Sequence, residues 1–262
     1  MLSFRASDGA HLSFTERGPR GGTPLLLVHG WQTDGTHWGP LIDALGERYR
    51  VVGVDLRGSG ASRSAPGPYR IESFANDLFD LVAAIDLDPA VVVGHSMGAK
   101  VALRFAIDHP EAVLGLVLVA PIPPGPVTYE PRLAAFLRST AGNPANTSAW
   151  LKRLTYREPS VDIANRMREA AATLSEEVAL ESFDSWTALD FAGEAATLAT
   201  PVLVIAPAED NPGTPDFVRE RVADVIPGSR MEVVAECGHY LAIEQPAHLA
   251  RLIGAFVEDL VR

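Results

Sequence analysis

A serine flanked by glycines, Gly94-His95-Ser96-Met97-Gly98, stands where an apolar run meets a helical pattern. The run is Ala90-Val91-Val92-Val93, and the pattern continues from Ala99 to Ala106. A serine hydroxyl is a weak nucleophile in water. At the apex of a sharp strand-to-helix turn it is lifted clear of the backbone. The N–H of the next residue, here Met97, then sits at a helix N-terminus, where a developing oxyanion is favoured. The glycines on either side fit a strained turn with close neighbours. The chemistry in view is nucleophilic attack by Ser96, which needs a base to take its proton and an acid to orient that base.

The candidate base is His239, in Glu236-Cys237-Gly238-His239-Tyr240, just beyond the last strand-like run. The acid is sought after Pro201-Val202-Leu203-Val204-Ile205, in Ala206-Pro207-Ala208-Glu209-Asp210-Asn211-Pro212. A carboxylate at the C-terminal end of a parallel strand faces the same crevice as the elbow. Asp210 is the choice and Glu209 its neighbouring alternative. The first glycine-bearing loop, His29-Gly30-Trp31, follows Leu25-Leu26-Leu27-Val28 and offers the N–H of Trp31 as a second oxyanion donor beside that of Met97. Each such donor is worth roughly 3 kcal/mol in a transition state. His29 reads as a loop-holding residue and His95 as packing. His11, His37, His109 and His248 show no ligand spacing, so no metal site and no cofactor are expected. Asp55-Leu56-Arg57-Gly58-Ser59-Gly60-Ala61-Ser62 lacks the phosphate-loop lysine and the third glycine of a dinucleotide fingerprint. It reads as a structural turn organised by Asp55 and Arg57.

These residues need a scaffold, and the rest of the chain supplies an α/β pattern. A hairpin is expected from Leu2 to Arg5 and Leu12 to Glu16 around Ser7-Asp8-Gly9. Apolar runs follow at Pro24–Val28, Val51–Val54, Ala90–Val93, Val113–Val119, Pro201–Ile205 and Met231–Val234. Continuous rather than alternating runs indicate strands covered on both faces, hence a parallel sheet. Ile71, Phe74, Leu78, Leu81 and Ile85 repeat at helical spacing. So do Leu249, Leu252, Phe256 and Leu260, in a helix that Pro246 can start. Pro121-Ile122-Pro123-Pro124-Gly125-Pro126 breaks this rhythm, and only short amphipathic stretches follow it. Residues 121–190 are therefore expected to form a helical cap, with 1–120 and 191–262 as the core. Tyr129, Phe136, Trp150, Phe183 and Trp186 in this segment, with Trp31, are the candidate pocket residues.

At 262 residues the chain suits one large α/β domain. Its net charge of −11 argues against nucleic acid or an anionic membrane surface as a partner. One cysteine, Cys237, leaves no internal disulfide, and the first residues carry no long apolar stretch. A cytoplasmic location and a small-molecule substrate are the resulting expectations. Oligomeric state is not readable.

Taken together, His29-Gly30-Trp31, Asp55-x-Arg57-Gly58-x-Gly60-x-Ser62, Gly94-x-Ser96-x-Gly98, Asp210, and Gly238-His239 with Glu244 and Pro246 resemble the α/β-hydrolase superfamily. The resemblance covers the whole chain except the cap. It implies a mostly parallel eight-stranded sheet with helices on both faces and the cap inserted after the sixth strand. It also implies the chain order Ser, acid, His. Two departures stand out. Pro207 occupies a place often held by glycine, and Ala99 replaces another glycine. Counting back from Pro212 and Pro215 moves the acid to Asn211, whereas counting forward from Pro201 gives Asp210, the register adopted. The implied activity is carboxylic-ester, thioester or lactone hydrolysis of a small to medium, fairly apolar substrate. Carbon–carbon hydrolases and cofactor-free perhydrolases share this machinery, and some members are ligand receptors with little turnover. Haloalkane dehalogenases and epoxide hydrolases carry aspartate where this chain has Ser96.

Overall fold

Strand β3 (Thr23–Val28) shows how the sequence builds the core: Leu25 and Leu27 face one hydrophobic layer and Leu26 and Val28 the other. A strand buried on both faces has no polar side to alternate with, so its sequence is an unbroken apolar run. The central residues of β4 (Tyr49–Asp55), β5 (Ala90–His95), β6 (Val113–Val119) and β7 (Val202–Pro207) are buried and apolar in the same way. The computed structural model describes residues 1–211 and 213–260. Pro212, one of the two prolines in the backward count for the acid, lies outside the described residues.

With β1 (Leu2–Arg5), β2 (His11–Arg17) and β8 (Arg230–Val234), these strands make one eight-stranded sheet in the order β1-β2-β4-β3-β5-β6-β7-β8. The β1–β2 hairpin and the β2–β4 pair are antiparallel, and every pair from β4 to β8 is parallel. β8 departs from its sequence reading: three of its five residues are exposed. It is an edge strand, so its apolar run is covered less fully than those of the central strands.

Helices α1 (Gly39–Leu45) and α11 (Pro246–Leu260) cover one face, where Leu41, Leu249, Ile253 and Phe256 are buried. Helices α2 (Ile71–Ala84) and α3 (Met97–Asp108) cover the other, through Phe74, Leu78, Val101 and Phe105. Between β6 and β7 lie α4 (Pro131–Arg138), α5 (Pro144–Leu154), α6 (Val161–Thr173), α7 (Glu176–Ala188) and the short α8 (Ala192–Ala195). Their starts follow local chemistry. The side chains of Glu130, Asn143, Ser160 and Ser175 accept N–H groups of the first turns, and proline opens α4 and α5. Short helices α9 (Pro215–Val218) and α10 (Leu241–Glu244) complete the chain.

The strand order fixes the crevice. β3 is flanked by β4 on one side and β5 on the other, so the connections leaving β3 and β5 diverge. In open α/β sheets this reversal is where ligands bind, at the C-terminal strand ends. His29-Gly30-Trp31 follows β3 and Ser96 follows β5.

Candidate active site

Ser96 links β5 directly to α3 with φ 55° and ψ −119°. A non-glycine residue there carries strain of order 1–3 kcal/mol, held by its surroundings. The surroundings are rigid backbone. Ser96 N–H donates to Val119 O of β6 at 3.0 Å, and Ser96 O accepts from Ala99 N–H at 3.0 Å. A Cβ at Gly98 would strike the carbonyl oxygens of Val28 and His29, and one at Gly94 would strike Gly98 O. The elbow therefore lies against β3 with no room for side chains at its glycines. Ser96 Oγ has no hydrogen-bond partner among the described residues, and Ser96 borders a cavity at the C-terminal strand ends.

His239 lies in the loop after β8, and its Nδ1 is 2.8 Å from Asp210 Oδ2. With the carboxylate accepting, the ring is protonated at Nδ1, which leaves the Nε2 lone pair free. Asp210 is buried at 2% exposure, whereas Glu209 and Asn211 are exposed. Glu209 N–H donates to Cys237 O at 2.9 Å, which turns its side chain outward and the next one toward the imidazole. The His239 loop is clamped from behind. Its own N–H donates to Leu154 O at 2.8 Å, and the Glu244 carboxylate accepts from the N–H groups of Gly238, Tyr156 and Arg157 at 3.0–3.1 Å.

The neighbouring histidines divide by role. His29 Nδ1–H donates to Gly30 O at 2.9 Å and Nε2 accepts Leu56 N–H at 3.1 Å, which holds the loop after β3. His95 does more than pack: its Nε2–H donates to His239 O at 2.9 Å, joining the elbow to the base's own backbone. His37 stacks on His95 with ring centroids 4.6 Å apart, and neither nitrogen of His37 has a partner among the described residues. Burial depresses the pKa of both, aided by the neighbouring imidazoles; His37 falls to about 3. The Gly-rich turn after β4 is held by polar groups. Asp55 accepts N–H bonds from Gly35 and Ala61 at 2.7 and 2.8 Å, and Arg57 Nε donates to buried Asp77 at 2.7 Å.

Ser96, Asp210 and His239 border one cavity of about 220 Å³. Trp31, Tyr129, Trp150 and Trp186 line it. Phe136 and Phe183, also expected there, do not. Phe136 packs edge-on against Trp150 at 6.2 Å, while Leu137, one position further around α4, takes the wall. Phe183 sits behind Trp31 and Trp186, at 5.4 and 5.0 Å, and backs them. The indole of Trp31 is fixed by donating to Ala179 O at 3.0 Å. The wall also includes Ile122, Val127, Leu154, Phe217 and Tyr240, which sequence reasoning passed over. Ile122 and Val127 follow β6, so the strand-end rule that located Asp210 could have found them. No lysine, arginine or glutamate lines the cavity among the described residues. The backbone N–H groups of Trp31 and Met97 donate to no protein group among the described residues. No cluster of His, Cys, Asp or Glu among the described residues is placed to hold a metal ion. No described helix is long and apolar enough to cross a membrane.

Comparison with known proteins agrees with this architecture. Residues 23–246 match the family model described as "alpha/beta hydrolase fold". A Caulobacter vibrioides protein named "Putative carbamate hydrolase RutD" is 29% identical over 98% of this chain and 98% of its own. A thermophilic esterase from Thermogutta terrifontis superposes with a TM-score of 0.86 at 26% identity, over 99% of each chain. An esterase from Exiguobacterium antarcticum gives a TM-score of 0.88 at 20% identity, over 98% of each chain. With a family match across most of its length and this eight-stranded sheet, the chain belongs to the α/β-hydrolase fold family.

Proposed function

We propose that the protein is a serine hydrolase that cleaves a carboxylic ester of a small to medium, fairly apolar substrate. The observation that carries this reading is the 2.8 Å contact between Asp210 and His239 Nδ1, beside a cavity that Ser96 also borders. It leaves the Nε2 lone pair of His239 as the one ring site able to take a proton from the serine.

In this reading His239 Nε2 removes the Ser96 proton as Oγ attacks the acyl carbon. The carbonyl oxygen gains negative charge and is received by the N–H groups of Trp31 and Met97. Asp210 stabilises the imidazolium without taking its proton. The imidazolium then protonates the leaving alcohol, giving an acyl-Ser96 ester. Water deprotonated by His239 attacks that ester and releases the acid. Residues 121–190 act as a cap. Its aromatic and aliphatic wall, without lysine or arginine among the described residues, suits a neutral acyl group rather than a polar or anionic one.

A panel of acyl esters of graded length, a lactone, a carbamate and a vinylogous diketone, each run against Ser96→Ala, tests the proposal. Preference for an acyl ester that vanishes in Ser96→Ala is the expected result. Turnover confined to the carbamate, in line with the name of the Caulobacter relative, or to the diketone moves the bond while keeping the residues. Binding without turnover points to a receptor.

A further inference from the structure

Lys100 is buried completely, four residues after Ser96 on α3, and no carboxylate among the described residues forms an ion pair with it. Its ammonium group donates to three backbone carbonyls: Leu189 at 2.6 Å, Trp186 at 3.0 Å and Gly125 at 3.2 Å. An ammonium has three N–H groups, so its donors are fully used. Taking a lysine out of water is expensive, and these bonds to carbonyl dipoles are what retain it.

The positions of the acceptors matter more than their number. Gly125 lies on the connection into the helical insertion, whereas Trp186 and Leu189 lie at its way out. The two connections run side by side. Val127 N–H donates to Thr187 O at 2.8 Å and Phe191 N–H to Pro124 O at 3.1 Å. Beneath them Lys100 bonds to both, with its ammonium 5.6 Å from the Phe191 ring. Trp186 lines the cavity over Ser96, and its ring packs on Tyr129 and Trp31 at 5.9 and 6.2 Å.

We propose that Lys100 is the positioning residue that fixes the roof of the pocket relative to Ser96, and so sets how long an acyl chain the site accepts. The inference rests on the ester-hydrolase reading above. Nucleophile and roof are tied to the same helix through this side chain, which adds to the ring packing of Trp186 on Trp31 and to the backbone bonds between the two connections. Without the ammonium, three carbonyls, two of them buried, lose their donor and the two connections are free to shift together.

The test compares wild type with Lys100→Met, which keeps the length of the side chain and removes its donors. p-Nitrophenyl acetate, butyrate and octanoate are the substrates, and a short-chain fluorophosphonate reports the reactivity of Ser96. Expected in Lys100→Met are fluorophosphonate labelling and acetate kcat within about threefold of wild type, with the octanoate-to-acetate ratio of KM changed at least tenfold. An unchanged KM ratio in a folded variant overturns the proposal. Failure of wild type to label at Ser96 overturns the hydrolase reading instead, so the two failures are distinct.

Should Lys100→Met not fold, wild type carries the test in its pH dependence. Burial brings the Lys100 ammonium down to about 8. Once neutral, the amine has two N–H groups for three carbonyls. The charged groups around it are the carboxylates of Asp190 and Glu72, the guanidinium of Arg104 over the same Phe191 ring with its partners Asp108 and Glu194, and Arg221, bonded to Pro126 O. Carboxylates and guanidinium groups keep their charge from pH 7 to 9.5. The octanoate KM is expected to change at least fivefold over that range while acetate kcat changes less than twofold. A flat octanoate KM contradicts the proposal.

Discussion

At the scale of single residues, the account rests on which atom can take a proton from Ser96. Asp210 occupies His239 Nδ1, so loss of its negative charge should upset the tautomer of the ring. Asp210→Asn is expected to lower kcat by about 10³–10⁴-fold, the effect of mis-setting the tautomer in this type of machinery. Glu209→Gln, at an exposed side chain, is expected to stay within twofold. Steady-state kinetics on the preferred ester decide it, and the reverse ranking would move the acid. Ser96→Ala is expected to lose roughly 10⁴-fold or more in kcat. Ser96 and His239 were legible because each sits in a short segment whose glycines and flanking runs dictate local geometry. The choice among Glu209, Asp210 and Asn211 was only partly legible. The structure brings Asp210 rather than its neighbours to His239, beside a backbone bond from Glu209 N–H to Cys237 O between segments far apart in sequence. Phe136 and Phe183 show the opposite limit. An aromatic at helical spacing serves a core or a pocket wall equally well, and a rotation of about 100° per residue separates the two.

At the scale of elements, the elbow depends on how closely α3 meets β3. A methyl group at Gly98 meets carbonyl oxygens of Val28 and His29, backbone atoms that move only if the strand moves. Gly98→Ala is therefore expected to cost more than about 3 kcal/mol or to abolish folding, as severe overpacking does. Ala99→Gly, one position on, removes a buried methyl group from the helix and is expected to cost about 1 kcal/mol. Urea denaturation compares them; similar stabilities would show that the close approach is not what fixes the turn. The strands were legible in the sequence because doubly buried strands are unbroken apolar runs. β8 was read correctly as a strand, but at the sheet edge and with Glu232 in its run it leaves Arg230, Glu232 and Val233 exposed. The helices between β6 and β7 were legible as short amphipathic stretches after the proline-rich break, while the caps that start them emerge from the structure. A cap over the site was expected, but which of its residues meet the site was only partly readable, because that depends on contacts such as Leu154 O with His239 N–H, which no local pattern encodes.

At the scale of the whole molecule, burial of two neutral histidines couples stability to pH. His37 and His95 have folded-state pKa values below the unfolded value of 6.5. Between about 3 and 6.5 the unfolded chain therefore binds protons at His37 that the folded chain does not. The stabilisation is fully present above pH 6.5 and is lost as pH falls through that window, with a limiting slope of about 1.4 kcal/mol per pH unit for each histidine. Urea unfolding at pH 7, 6 and 5 should show stability falling toward pH 5, and His37→Phe should flatten that fall by up to one proton's worth. An equal slope in wild type and variant would show that His37 takes up its proton without unfolding. The sheet, the loops at its switch point and the insertion above it all converge on one serine hydroxyl, and its reactivity is the most direct test of the account. Wild-type protein treated with a fluorophosphonate should gain a single adduct, mapped by peptide mass spectrometry to Ser96 and nearly absent in Asp210→Asn and Ser96→Ala. Folded wild-type protein that gains no adduct, or gains one elsewhere, would contradict it.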